Sequence, residues 1–68
     1  MKVNYDKEAD AVYFELKKGK FSKNKKIDRS TIVDLDANNQ ILGIEFLDAS
    51  KRGIHKLTNL NSKMTISE

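Results

Sequence analysis

TIVDLDANNQILGIEFLDAS, residues 31–50, is the stretch whose reading decides the fold of this 68-residue chain. Apolar and polar residues alternate on both sides of a polar centre, the period-two pattern of strands that bury one face of a sheet. The pair Asn38-Asn39 marks the turn, because asparagine accepts positive φ better than any residue except glycine. A two-residue turn there sets Leu35 opposite Leu42, Val33 opposite Ile44 and Thr31 opposite Phe46, all on one face. A three-residue loop slips the register, sets Asp34 opposite Leu42 and gives up apolar burial. The two-residue register, or a four-residue loop that shares it, is therefore favoured.

The second face of this hairpin carries Ile32, Asp34 and Asp36 against Ile41, Gly43, Glu45 and Leu47. Gly43 falls opposite Asp34, and a glycine inside a strand marks a bulge or a close approach by other atoms. This face is too apolar to be wholly wet. Either the C-terminal segment or a second copy of the chain is expected to cover it, which makes Ile32, Ile41, Gly43, Glu45 and Leu47 the candidate protein interface.

Working outward, Lys2 to Tyr5 alternates with Val3 and Tyr5 on one side and predicts a short strand. The run DKEAD, residues 6–10, reads as a tight connection. AVYFEL, residues 11–16, predicts a second strand with Val12, Phe14 and Leu16 inward. Lys18-Gly19 supplies a hairpin turn into a weaker strand, FSKNKKID (residues 21–28), whose lysines suit a sheet edge. Asp28-Arg29-Ser30 then turns the chain into the central hairpin. Short connections throughout predict a mainly β, α+β chain: a small antiparallel β-meander of about five strands over residues 1–50. The C-terminal segment, residues 51–68, spaces Ile54, Leu57 and Leu60 three apart, as one face of a short helix does. Laid over the second face of the hairpin, such a helix would cover its apolar residues.

At this length the chain reads as a single domain, 1–68, that buries roughly 60% of its unfolded surface. It has no cysteine and one histidine, which excludes disulfides, cysteine zinc sites and histidine-rich metal sites. Oligomerisation is the remaining brace, so a homodimer is expected. No apolar run reaches the roughly 20 residues of a membrane span, and the N-terminus lacks the apolar core of a signal peptide, so a cytoplasmic protein is expected. Thirteen Lys and Arg against 10 Asp and Glu give a net charge of +3, too small by itself to imply nucleic acid.

Two motifs stand out: Tyr5, Asp6, Glu8, Ala9, Asp10, Ala11 and Tyr13, then Asp34, Asp36, Gly43, Ile44, Glu45, Leu47, Asp48, Ala49 and Ser50. Together they resemble the bacterial and archaeal family called domain of unknown function 2283. The family turn is usually Asp-Gly where this chain has Asn38-Asn39, and its third strand is often acidic where Lys25 and Lys26 stand here. The resemblance implies a small β-rich domain and carries no activity.

Among candidate sites, Asp6, Glu8 and Asp10 alternate like the opening of a calcium loop. The glycine and glutamate such a loop needs are replaced by Ala11 and Lys17, so turn closure by Asp10, bonding nearby backbone amides, is the better reading and no metal is expected. Asp34 and Glu45 with His55 form the one conceivable catalytic set, but paired surface carboxylates are more often simply solvated, and no catalytic residue or cofactor is assigned. Six lysines between Leu16 and Ile27 form a basic strip uninterrupted by acid. With the ring of Phe21, Lys18, Lys20, Lys23, Lys25 and Lys26 are candidate nucleic-acid contacts, the alternative being a solvated edge protected from aggregation. A sheet this small hardly encloses the roughly 300 Å³ of a ligand pocket. The leading expectation is a protein-interaction module that self-associates through its sheet, one form being the neutralising partner of a toxin-like protein. A nucleic-acid binder comes second and a small enzyme third.

Overall fold

The computed structural model describes residues 2–56. Its strands are β1 (Lys2–Asp6), β2 (Ala11–Glu15), β3 (Lys23–Asp28), β4 (Thr31–Leu35) and β5 (Ile41–Phe46), followed by one 3-10 turn at Ile54–Lys56. They form a five-stranded antiparallel β-meander sheet, as the alternation predicts, with the order β1-β2-β5-β4-β3. The helix expected over Ile54, Leu57 and Leu60 is present as the 3-10 turn; Leu57 and Leu60 lie outside the described residues.

The strand order corrects one expectation. Lys18-Gly19 does not make a hairpin, because β2 pairs with β5 and β3 lies at the far edge beside β4. Pairing decides this: β2 meets β5 with Val12 opposite Phe46 and Phe14 opposite Ile44, whereas β3 offers it polar residues at every position but Ile27. Residues 16–22 instead run along one end of the sheet. The amides of Leu16 and Lys17 donate to the Leu42 carbonyl at 2.8 and 3.2 Å, and the Ser22 amide donates to the Leu35 carbonyl at 2.9 Å. Crossing three strand spacings takes about 14 Å, well within the reach of that segment.

The central hairpin corrects the expected two-residue turn at Asn38-Asn39 and the expected pairing of Leu35 with Leu42. Its loop has three residues, 37–39: the Asn39 amide donates to the Asp36 carbonyl and the Asp36 amide to the Gln40 carbonyl, each at 3.0 Å. Asn39 takes positive φ, 63°, as a type I turn closed by a left-handed residue requires. The Asp36 carboxylate selects this loop by accepting the amides of Asn38 at 2.8 Å and Gln40 at 2.9 Å. The slip this causes, with Leu35 opposite Ile41, is absorbed by a bulge before Asp34 meets Gly43. Beyond the bulge, Val33 faces Ile44 and Thr31 faces Phe46 as expected, so the apolar pattern wins over the loop.

One face of the sheet is apolar: Val3 and Tyr5 on β1, Val12 and Phe14 on β2, Ile44 and Phe46 on β5, and Val33 and Leu35 on β4 share it by register. Residues 47–56 fold over the half of this face nearest the β1–β2 turn. Val12 and Ala49 are consequently fully buried, at 0% exposure. The Phe14 and Phe46 rings meet edge to face at 5.8 Å, and the Arg52 guanidinium lies 5.4 Å from the Phe46 centroid. The C-terminal segment thus covers the first face, not the second as the sequence suggested. The first face is the more apolar of the two and gains more from cover.

Candidate functional site

The two motifs meet in space at two points. The first is at the β1–β2 turn. There Asp6 Oδ1 accepts the amides of Glu8 at 3.0 Å and Ala9 at 3.2 Å, so the turn is closed by Asp6 and not by Asp10 as the sequence suggested. Asp10 follows in the left-handed region, φ 52°, which aims its carboxylate back across the sheet end. Its Oδ1 accepts the Tyr5 hydroxyl at 2.8 Å and the Ser50 amide at 3.0 Å, while Oδ2 accepts the Ser50 hydroxyl at 2.9 Å. The Asp10 carbonyl also takes the Ala49 amide at 2.9 Å.

These bonds pin residues 47–56 to the β1–β2 turn. The pinned segment closes on itself around Gly53, φ 73°, whose amide donates to Ser50 while the Ile54 amide reaches back to Ala49 at 2.9 Å. The Tyr5 hydroxyl, then the Ser50 amide, hold the Asp10 carboxyl below the usual aspartate range. The same bond from the other side raises the Tyr5 phenol, with burial second. His55 is half-buried with its ring 5.9 Å from that of Tyr5, not a surface histidine.

The second meeting point explains Gly43. A Cβ at that position would lie 2.1 Å from the Tyr13 hydroxyl, 2.4 Å from its Cζ and 2.7 Å from the Phe14 carbonyl oxygen. The Tyr13 ring therefore crosses the glycine on the polar face. Burial, then the Asp34 charge, raises the Tyr13 phenol. Close approach at Gly43 was legible in the sequence; the identity of the approaching ring was not.

The candidate catalytic set does not assemble. Asp34 and Glu45 face outward with Tyr13 and Ile32, whereas His55 packs on Tyr5 across the sheet. The Asp6 carboxylate closes its turn and that of Asp10 holds Tyr5 and Ser50, and no group of three or more His, Asp or Glu side chains is placed to hold a metal ion among the described residues. Both motif clusters are occupied with holding the fold together.

What remains open is the other half of the apolar face. Ile27 and Ile41 are 57% and 44% exposed, and with Val33 and Leu35 they line an open hollow of about 690 Å³ rimmed by Lys23 and Lys25. The bulge puts Ile41 here, opposite Leu35, so the candidate interface divides. Ile41 belongs to this hollow, Gly43 is covered by Tyr13, Ile32 and Glu45 pair on the other face, and Leu47 follows the end of β5. A concavity of ligand-binding size was not expected; it is a trough on the sheet, not an enclosed pocket.

The lysine strip also divides. Lys17, Lys18 and Phe21 lie in the crossing segment beside Tyr13, Glu15 and Asp34. Lys23 and Lys25 share the face of Leu35 and Val33, their partners, while Lys26 points to the other face with Ile32. Lys20 flanks Phe21 at the central loop.

Residues 2–50 match the family described as "Protein of unknown function (DUF2283)", and the chain belongs to it. No curated protein and no solved structure matches the chain. No helix among the described residues is long and apolar enough to cross a membrane.

Proposed function

We propose that the chain is a protein-interaction domain that works through the uncovered half of its apolar face. The observation that carries this is the exposure of Ile27 and Ile41 around the hollow formed with Val33 and Leu35. Exposed apolar side chains grouped on one surface mark an interaction site more often than singly scattered ones do. Self-association through this face gives the homodimer expected from the chain's size, and capture of another protein gives the neutralising partner of a toxin-like protein. In both forms Ile41 is an interface residue. Light scattering and capture assays on Ile41→Ser and Ile27→Ser test the proposal: both variants keep the fold and lose association. Association unchanged in both variants overturns it.

A second reading is favoured by one observation, the 54% exposure of Phe21 beside Lys20. A ring among lysines stacks single-stranded bases. Replacing Lys23, Lys25 and Lys26 with Gln then lowers the salt slope of oligonucleotide binding by about 0.7 per lost phosphate contact. An unchanged slope rules these lysines out as phosphate contacts.

A further inference from the structure

We propose that β3 is a docking edge for an extended, acidic segment of a partner protein, which adds to the sheet as a sixth strand. This rests on the interaction reading above and names the partner's chemistry. β3 is the last strand in the sheet order, and all six of its residues are exposed. An edge strand presents alternate amides and carbonyls outward, and an added strand satisfies them.

The side chains select what is added. Lys23 and Lys25 stand on the apolar face, Lys26 stands on the other, and no acid interrupts residues 16–27. A second copy pairing through β3 sets lysine against lysine across the new ladder, which like charges disfavour. A strand carrying carboxylates at alternate positions meets Lys23 and Lys25 directly and brings its next side chain to Ile27, at the rim of the hollow. The bulge between Lys26 and Asp28 ends the regular edge and limits the pairing to the lysine-bearing residues. The opposite edge, β1, carries both Lys2 and Asp6 and offers no such bias.

The probe is a short blocked peptide alternating glutamate with threonine, beside its lysine analogue and an oligothymidylate. Backbone amide shifts are recorded for the wild-type chain. The glutamate peptide shifts the amides of β3 and the lysine peptide does not. Lys23→Glu with Lys25→Glu weakens the glutamate peptide at least about ten-fold and admits the lysine peptide, and the corresponding double Gln variant weakens it without that reversal.

Binding that ignores the charge reversal overturns the inference, as do shifts centred on β1. Oligothymidylate shifting β3 while the glutamate peptide does not also overturns it, in favour of nucleic acid. If the glutamate peptide is silent but Ile41→Ser still abolishes association, the docking edge falls and the interaction domain stands. If the peptide is silent and Ile41→Ser changes nothing, both fall.

Discussion

Replacing Gly43 with alanine tests the reading of the family motifs most directly. The new methyl would lie 2.1 Å from the Tyr13 hydroxyl and 2.4 Å from Cζ, so the ring has to leave its place over the strand. Overpacking of this kind costs about 1–3 kcal/mol. Alanine returns about 0.5–1 kcal/mol through lower backbone entropy in the unfolded chain. The net expectation is a loss of about 1–2 kcal/mol, or about 5–15 °C in Tm for a domain of this size. Thermal and urea unfolding of Gly43→Ala, Tyr13→Ala and the double variant measure it. With the ring absent, Gly43→Ala costs only the residual clash with the Phe14 carbonyl at 2.7 Å. The two substitutions therefore couple by about 1–2 kcal/mol. Additivity within about 0.5 kcal/mol refutes the account, because residues that do not touch add.

Three further outcomes follow from the same geometry. Ala49→Leu, at a fully buried position, destabilises by about 1–3 kcal/mol in chemical unfolding, whereas Ser50→Ala keeps the packing and loses only hydroxyl bonding. Asn39→Ala places an ordinary side chain at φ 63° and costs about 1 kcal/mol, while Asn39→Gly does not destabilise; urea midpoints separate the two. The Tyr5–Asp10 contact is lost at both pH extremes. The lowered Asp10 carboxyl contributes stability above the ordinary aspartate value and loses it as pH falls through its folded value. The raised Tyr5 phenol contributes below the ordinary tyrosine value and loses it as pH rises through its folded value. Asp10→Asn removes the acid limb contributed by Asp10, read from the ring signals of His55 against Tyr5.

Sequence by itself determined the local terms. Because strand side chains have a period of two, alternation fixed which residues of β1, β2 and β4 share a face, and those of β5 except Ile41, which the bulge moves to the apolar face. It placed Gly43 against Asp34, but it gave turn closure to Asp10, whereas Asp6 closes the turn and Asp10 reaches Ser50. Tertiary structure decided the long-range terms. Whether β2 takes β3 or β5 as neighbour depends on comparing apolar pairings between distant segments, and the short link from Glu15 to Lys23 conceals the answer. The register of the central hairpin depended on a bulge that reconciles the Asp36 loop with the Val33–Ile44 pairing. The side on which residues 47–56 lie was set by Asp10 reaching Ser50, forty positions away. That choice covers Val12 and leaves Ile27 and Ile41 open, so the surface proposed for function is the part of the apolar face that the chain's own C-terminal turn does not reach.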